Sequence, residues 1–197
     1  MNCLINEIFV SIQGEGMWVG TASIFVRFAG CSLGCSWCDT DCSVMDSLTV
    51  QQVIDRINSL STVIEHVVIT GGEPTEQPEA LKALIDGLLE YGGFDIQVET
   101  NGIPNDFFTH NVFDLRDEEN MWITVSPKIG KDFFVGDELK VVYTGQSLEP
   151  YERIEGETFL YLQPCDGMDN VQEVVDIVKE RPQWQLSLQT HKLIGIK

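Results

Sequence analysis

The chain has 197 residues, and its 31 acidic and 12 basic side chains give a formal net charge of −19 at pH 7. Hydrophobic residues make up 43% and charged residues 22%, which is typical of a folded protein, and we expect one domain over residues 1–197. So large an acidic excess repels phosphate backbones and anionic membrane surfaces, which argues against nucleic-acid binding and against a membrane partner.

The sequence shows no apolar run of the roughly 18 residues that a membrane-spanning helix needs. Its N-terminus has no basic segment followed by an apolar one, the pattern of an export signal. We therefore expect a soluble, cytoplasmic protein. In such a reducing compartment, clustered cysteines hold a metal more often than they form disulfides.

Apolar runs of strand length recur along the chain. They are rich in Val, Ile, Phe and Trp, as strands covered on both faces tend to be. The predicted strands are Asn6–Ile12, Ser23–Phe28, His66–Thr70, Asp95–Glu99, Met121–Val125, Leu139–Tyr143, Phe159–Leu162 and Trp184–Leu188.

Helix signals lie between some of these strands. Thr49 and Gln52 fit a capping box, Pro78 fits a first helical position, and Asp169 fits the cap of a helix over Asn170–Glu180. Strand–helix–strand order implies parallel strands joined by crossovers. The later strands have fewer helices between them, so the sequence predicts an α/β fold that is a truncated, open barrel with about three helices. A complete eight-fold barrel needs about 250 residues.

The first chemically informative stretch is a loop with three thiols, at Cys31, Cys35 and Cys38. Three protein ligands on a four-iron cluster leave one iron free to bind another molecule. The alternative is a zinc site in which Cys42 supplies a fourth thiol at closed tetrahedral geometry. Cysteine spacing favours the cluster but leaves both open. Cys3 lies far from the loop and is expected to be an ordinary buried residue.

The thiol loop directly follows the strand Ser23–Phe28, at the strand end where parallel barrels place their sites. The next strand runs into Gly71, Gly72 and Glu73, where glycines let the backbone approach a ligand. The thiol spacing and the order of the two motifs resemble the radical S-adenosylmethionine (SAM) superfamily. In that superfamily the open iron binds the amino and carboxylate groups of SAM.

The segment Ser11–Gly16, followed by Arg27 and the thiol loop, resembles the 7-carboxy-7-deazaguanine synthase family. Further matches to that family are Glu99–Gly102, Ser126–Lys128, Gln163–Pro164 and Gln189–Gly195. The resemblance implies a (βα)6-type radical SAM partial barrel that uses a [4Fe-4S] cluster, SAM and Mg2+. It also implies ring contraction of 6-carboxy-5,6,7,8-tetrahydropterin with release of ammonia, a homodimer, and an electron donor such as flavodoxin or ferredoxin.

The resemblance also assigns roles residue by residue. It makes Cys31, Cys35 and Cys38 the cluster ligands and Thr40 the Mg2+ ligand. The implied SAM contacts are Trp37, Cys38, Asp39, Gly72, Glu73, Ser126, Pro127, Lys128, Gln163, Pro164, Cys165 and Asp166. The implied substrate contacts are Ile12, Gln13, Gly14, Glu15, Arg27, Thr70, His191 and Lys197, the last through its terminal carboxylate.

Elementary chemistry is compatible with several of these roles. The amide of Gln13 and the carboxylate of Glu15 can read the donors and acceptors along a pterin edge. Arg27 offers a fork of donors for the substrate carboxylate, although a surface ion pair is its alternative role. The hydroxyl of Thr40 is a weak metal ligand that needs other oxygens to complete the shell, and a turn cap is its alternative.

Two other functions remain open from the sequence. A glycyl-radical activating enzyme shares the three-thiol loop and a small core, but it gives no reason for Gln13, Glu15 and Arg27 to occur together. A zinc-stabilised interaction module, which is not an enzyme, is the alternative if the thiols hold a single ion. Metal content distinguishes this module from a four-iron enzyme.

Overall fold

The computed structural model describes residues 1–105, 119–154 and 157–197. Its strands are β1 Asn2–Ile12, β2 Ala22–Phe28, β3 Asp46–Thr49, β4 His66–Gly71, β5 Asp95–Thr100, β6 Met121–Val125, β7 Glu138–Tyr143, β8 Phe159–Pro164 and β9 Trp184–Leu186. They form one sheet in the order β3-β1-β2-β4-β5-β6-β7-β8-β9.

Five α-helices accompany the sheet within the described residues. They are α1 Val50–Leu60, α2 Pro78–Tyr91, α3 Glu149–Glu152, α4 Val171–Glu180 and α5 Thr190–Leu193, and a 3-10 turn spans Pro74–Glu76. Three of the helices are longer than a single turn, as predicted. None of the helices in the described part of the chain is long and apolar enough to cross a membrane.

The sheet has a parallel body and an antiparallel edge. Each neighbouring pair from β2 through β4 to β9 is parallel, whereas β1 pairs antiparallel with both β2 and β3. The sheet begins at β3 and ends at β9, and these two edge strands do not pair with each other. The truncated, open α/β barrel predicted from the sequence is therefore confirmed.

The N-terminal edge differs in detail from the prediction. β1 begins at Asn2 instead of Asn6, because Asn2–Ile5 pairs with β3. The rest of β1 pairs with β2. β3 itself was not predicted, since its sequence Asp-Ser-Leu-Thr has no apolar run. Pairing with β1, instead of local composition, makes this segment a strand.

The strands have two chemically different faces. Apolar residues such as Ile69, Val98 and Val141 belong to the core that also contains the buried side chains of α1, α2 and α4. Residues that alternate with them, such as Glu99 and Lys140, line a cavity on the other face. One face of the sheet therefore packs in the apolar core, and the other face carries polar side chains into the cavity.

Two predicted helix starts are confirmed and one is wrong. The capping box of α1 is present, with Gln52 N donating to Thr49 Oγ1 and Thr49 N donating to Gln52 Oε1. Pro78 is the first residue of α2. The cap of α4 is Asn170 and not Asp169, and the Asn170 side chain donates to the backbone oxygen of Tyr143 at 2.8 Å.

Cys3 is fully buried in the core, as expected for an ordinary small residue. Burial raises the pKa of its thiol to about 11, so the thiol stays protonated at neutral pH. Cys3 is therefore a packing residue.

The connection between β1 and β2 turns into the N-terminal end of the barrel. Trp18 stacks on His66 with ring centroids 4.7 Å apart and meets the edge of Trp122 at 6.1 Å. The backbone N–H of Met17 donates to Glu138 at 3.0 Å. This arrangement fills the lower end of the barrel and presents the preceding residues, 13–15, to the cavity.

Candidate active site

One cavity of about 620 Å³ lies at the C-terminal ends of the parallel strands. Every site residue predicted from the sequence lines it, with two exceptions, Pro127 and Cys165. Both exceptions are buried next to residues that do line the cavity. Segments from both ends and from the middle of the chain are thus brought to one place.

The three-thiol loop forms one wall of the cavity. Cys31, Cys35 and Cys38 are free thiols, and Gly34 between them has a positive φ of 55°. Glu76 anchors the loop, since its carboxylate accepts from the backbone N–H of Ser32 at 2.9 Å and from the Ser32 hydroxyl at 2.6 Å. The loop is therefore attached to the turn that follows β4.

The donor set fits an iron–sulfur cluster, because three reduced thiols share one wall with open cavity beside them. Burial raises the pKa of Cys31, and Glu76 and Glu73 raise it further, so ligation would require the positive charge of the bound iron. Cys42 also lines the cavity, and the thiols of Cys42 and Cys38 face the same backbone oxygen. Within the described residues, no group of three or more Cys, His, Asp or Glu side chains is arranged so that it could hold a single metal ion.

The glycine motif after β4 packs tightly against the start of the thiol loop. Gly72 N donates to Phe28 O at 3.0 Å, and Glu73 N donates to Gly30 O at 2.9 Å. A Cβ atom on Gly72 would lie 1.9 Å from the Gly30 oxygen. Glycine is therefore required here by contact with the neighbouring loop, in addition to any ligand.

Glu73 is buried, and both of its carboxylate oxygens accept hydrogen bonds from the protein. Oε1 accepts from Thr100 Oγ1 at 2.7 Å and from Thr75 Oγ1 at 2.8 Å, and Oε2 accepts from Asn101 N at 2.7 Å. Burial raises the pKa of Glu73 even though these bonds act against it. The side chain thus ties the loop after β4 to the end of β5.

The ends of β6 and β8 complete the wall around the predicted SAM site. Lys128 Nζ donates to Ser126 Oγ at 3.2 Å, and burial lowers the pKa of Lys128 while the nearby thiol of Cys35 acts to raise it. Gln163 is buried, and its Oε1 accepts from Ser187 Oγ at 2.8 Å.

The cavity interior contains a connected polar network centred on Glu99. Gln13 Nε2 donates to Glu99 Oε1 at 3.1 Å and to Gln97 Oε1 at 2.9 Å. Thr70 Oγ1 donates to Glu99 Oε2 at 2.9 Å. Two predicted substrate residues, Gln13 and Thr70, are therefore oriented by the same carboxylate.

Lys140 is the buried cation of this network. Its ammonium group pairs with Glu15 and lies 3.6 Å from Glu99 Oε1. Burial alone would lower the pKa of Lys140, but attraction to Glu15, Glu99 and Glu138 outweighs it and raises the pKa. Burial likewise acts to raise the pKa of Glu15, but Lys140 and a hydrogen bond from Gln189 lower it. Glu15 therefore stays ionised at neutral pH.

Arg27 lies on the cavity wall and forms an ion pair with Glu7, which is the alternative role that the sequence left open for it. Its Nε donates to Glu7 Oε1 at 3.0 Å, and the side chain is 21% exposed. The guanidinium also lies 5.8 Å from the ring centroid of Phe9. Its two Nη groups form no hydrogen bond within the described residues, so the ion pair leaves one edge of the fork for a ligand.

Thr40 and Asp39 lie beside the last thiol. Thr40 Oγ1 donates to Asp39 Oδ1 at 3.3 Å, and Asp39 Oδ2 accepts from Gln189 Nε2 at 3.1 Å. Burial acts to raise the pKa of Asp39, but hydrogen bonds from Lys192 and Gln189 lower it. This corner therefore offers an ionised carboxylate and a hydroxyl.

The two predicted substrate residues at the C-terminus lie on the cavity wall beside β1. A Cβ atom on Gly14 would lie 2.1 Å from His191 Nδ1, which explains the glycine at that position. Lys197 pairs with Glu7 through its ammonium group, and its backbone oxygen accepts from the Ser11 hydroxyl.

The cavity residues that sequence reasoning did not assign to the site include four that form its polar bridges, Glu99, Lys140, Gln189 and Lys192. A signal for Lys140 existed, because Glu138 and Lys140 alternate with apolar residues in a strand-like run. Gln189 and Lys192 lie in the segment Gln189–Gly195, which resembles the family. Their partners are far away in sequence, so no local pattern reveals these contacts.

Comparison with known proteins agrees with this geometry. Residues 25–180 match the model of the radical SAM superfamily. The chain is 43% identical to the 7-carboxy-7-deazaguanine synthase of Bacteroides thetaiotaomicron, with 98% of each chain covered. It is 38% identical to the enzyme of the same name from Bradyrhizobium diazoefficiens, with 100% of each chain covered.

A solved structure shows the same architecture. The crystal structure of QueE from Escherichia coli superposes with a TM-score of 0.74 at 27% identity, covering 95% of this chain and 94% of that chain. Similarity over the whole chain length favours this family over the glycyl-radical activating enzymes.

Proposed function

Since the chain belongs to the radical SAM superfamily and, within it, to the 7-carboxy-7-deazaguanine synthase family, we propose that it converts 6-carboxy-5,6,7,8-tetrahydropterin to 7-carboxy-7-deazaguanine with release of ammonia. The observation that carries the proposal is one cavity shared by the predicted cofactor and substrate residues. Its walls contain the three-thiol loop, the Gln13–Glu15 segment and Arg27.

The size and polarity of the cavity support a small polar substrate next to a nucleoside cofactor. A volume of about 620 Å³ lies within the usual range for ligand sites, roughly 300–1,000 Å³. Arg27 supplies a cationic fork at one wall, and the carboxylates of Glu15 and Glu99 supply acceptors in the interior. A pterin with an anionic carboxylate and a guanidine-like edge has the matching groups.

The residues of this chain bind and orient, while the cofactors supply the difficult chemistry. The cluster and SAM, when bound, supply the one-electron chemistry that removes a hydrogen atom from the substrate. Arg27 holds the substrate carboxylate, and Glu15 and the Oε1 atom of Gln13 read the opposite edge, because both Nε2 hydrogens of Gln13 are donated within the protein. Lys140 keeps Glu15 ionised, so that Glu15 accepts hydrogen bonds from the ring nitrogens.

Magnesium dependence is a further part of the proposal. Thr40 faces the cavity beside the ionised Asp39, and oxygen donors of this kind suit Mg2+. Thr40→Val should raise the magnesium concentration needed for turnover while leaving reductive cleavage of SAM largely intact, because a lost metal ligand affects positioning and not electron transfer. Equal loss of both activities would remove Thr40 from this role.

The deciding experiment is anaerobic reconstitution with iron and sulfide, followed by incubation with the carboxytetrahydropterin, SAM, Mg2+ and dithionite. We expect ammonia and the deazaguanine product by mass spectrometry, and a four-iron electron paramagnetic resonance signal that changes when SAM is added. Absence of product from cluster-loaded protein would contradict the proposed reaction.

Cysteine variants supply the matched control. Cys31→Ala, Cys35→Ala or Cys38→Ala should each abolish the cluster, whereas Cys42→Ala should retain it. Loss of metal in Cys42→Ala, with zinc in the wild type, would point to the closed zinc site instead.

The proposal includes a homodimer and an electron donor of the flavodoxin or ferredoxin type. Sedimentation of the cluster-loaded protein tests the first, and replacement of dithionite by each donor with its reductase tests the second.

A further inference from the structure

The last eleven residues form a strap along the cavity wall. This C-terminal strap, residues 187–197, reaches from the end of β9 to β1, two strands that lie near opposite edges of the sheet. Ser187 Oγ accepts from Gly16 N at 3.1 Å, and Thr190 N donates to Gly14 O at 3.0 Å. The strap therefore joins the two sides of the open barrel.

Lys192 connects the strap to two loops of the cavity wall. Its Nζ lies 2.5 Å from Asp39 Oδ2 and 2.6 Å from Asp166 Oδ2. Asp39 directly follows the last thiol of the cluster loop, and Asp166 lies just beyond the end of β8. One ammonium group thus bridges three segments that are far apart in sequence.

A second side chain of the strap extends the same connection. Gln189 Nε2 donates to Asp39 Oδ2 at 3.1 Å and to Glu15 Oε1 at 2.9 Å. Asp39 and Asp166 belong to the predicted SAM site, whereas Glu15 and the neighbouring His191 belong to the predicted substrate site. The strap is therefore in contact with both.

We propose that Lys192 is a positioning residue that holds the thiol loop and the loop after β8 in the geometry that binds SAM, an inference that rests on the proposed function. Two carboxylates in a chain with a net charge of −19 repel each other unless a cation lies between them. Lys192 pairs with the Oδ2 atom of each carboxylate and thereby holds the two loops together.

A surface lysine on α4 that does not line the cavity offers a contrast. Lys179 pairs with Asp176 at 2.9 Å within α4, and its side chain is 66% exposed, compared with 35% for Lys192. Exposed pairs within one helix contribute little, and breaking one disconnects nothing. Lys179 is therefore the matched control for Lys192.

The test uses the anaerobic, cluster-loaded protein in four forms: wild type, Lys192→Met, Lys192→Arg and Lys179→Met. SAM binding is measured by equilibrium dialysis, and amide hydrogen exchange is followed in residues 187–197. We expect Lys192→Met to weaken SAM binding about tenfold and to speed exchange in the strap, whereas Lys192→Arg stays within about threefold of wild type. Lys179→Met should match wild type in both measurements.

Two results would overturn the inference. If Lys192→Met binds SAM as tightly as wild type with unchanged exchange, Lys192 is an ordinary surface cation. If the variant loses pterin binding while SAM binding and exchange are unchanged, Lys192 contacts the substrate directly. Should Lys192→Met fail to hold the cluster, Asp166→Asn breaks the same bridge from its other end, and unchanged strap exchange there would also refute the role.

Pterin binding is measured separately by equilibrium dialysis, and the SAM-binding and hydrogen-exchange measurements are made without the pterin. Failure of the proposed reaction therefore shows as missing product in wild type, and failure of the Lys192 role shows as unaltered SAM binding and exchange.

Discussion

Arg27 is fixed at the cavity wall by groups on β1. Glu7 accepts from its Nε, and Phe9 lies under its guanidinium. These two contacts restrict the side chain before any ligand arrives, which reduces the entropy lost on binding. The two Nη groups of Arg27 are therefore held at a defined place on the cavity wall.

The first prediction concerns this fork. Arg27→Lys should weaken binding of the carboxylated pterin, because an ammonium group cannot reproduce a bidentate contact. Misplacement of about 1 Å can cost on the order of a hundredfold in rate. Steady-state kinetics with the pterin, and competition by pterins with and without the carboxylate, measure the effect.

Two observations control this prediction. Cluster content and SAM binding should be unchanged, and Arg56→Lys, which alters an exposed pair with Asp46, should leave all of the measurements at wild-type values. A wild-type enzyme that does not prefer carboxylated competitors would show that Arg27 does not read the carboxylate.

His66 is a buried base at the lower end of the barrel. The Ser23 hydroxyl donates to Thr21 O at 3.0 Å, so in its 2.7 Å contact with His66 the Nδ1–H group donates and Ser23 Oγ accepts. His66 Nε2 is buried and has no hydrogen-bond partner among the residues that the structure describes. Burial lowers the pKa of His66 below 6.5, although Asp95 and Glu99 act to raise it.

The second prediction follows from the sign of this shift. Between the folded pKa and the unfolded value of 6.5, the unfolded chain binds more protons, so the stability contributed by His66 is lost as the pH falls through this window. When the pH is lowered from about 7.5 to about 5.5, the free energy of unfolding should fall more in wild type than in His66→Gln. Urea unfolding of metal-free protein at the two pH values measures it.

Ser23→Ala is the control for His66, because it removes the hydrogen bond and keeps the titrating group. Its stability should be lower at both pH values with the wild-type pH dependence retained. An equal loss of stability in wild type and His66→Gln on acidification would refute the assignment.

At the scale of elements, apolar content predicts strands well where one face packs on helices. The runs that became β4, β5 and β6 were predicted to within one residue, since their apolar residues belong to the same core as the buried side chains of α1 and α2. β3 was not predicted, because only its partner strand makes it extended.

The candidate site divides in a similar way. Its local motifs, the thiol loop and the glycine loop, can be predicted because their functional residues are close together in the sequence. The bridges through Lys140 and Lys192 were missed, because each joins residues more than 25 positions apart. Such contacts depend on sheet order, which the sequence does not state.

The third prediction concerns the start of α1. Thr49 and Gln52 satisfy each other's backbone N–H groups in the capping box, and α1 covers β1 through Val53 and Ile57. Thr49→Ala should lower the free energy of unfolding by about 1 kcal/mol. Urea unfolding measures it, with Thr62→Ala, an exposed threonine in the loop after α1, as the control. Equal stabilities of the two variants would show that the capping box contributes nothing.

At the scale of the whole molecule, the acidic excess far exceeds the available cations. The chain has 31 carboxylates and 12 basic groups, and several basic groups are already engaged in exposed pairs such as Lys82–Asp86 and Arg153–Glu149. Exposed pairs contribute about 0–1 kcal/mol each, so their screening by salt costs little. Repulsion among the unpaired carboxylates acts over the whole surface and is also screened by salt.

The last prediction compares these two opposing effects. Because repulsion dominates, raising the salt from about 0.02 M to about 0.3 M should raise the urea midpoint, as the screening length falls from roughly 20 Å to below 10 Å. NaCl and KCl should act alike, since screening depends on ionic strength. The buried pair of Lys140 and Glu15 is shielded from this change, so the cavity should keep its charge arrangement. A urea midpoint that falls with salt would mean that the surface ion pairs outweigh the repulsion.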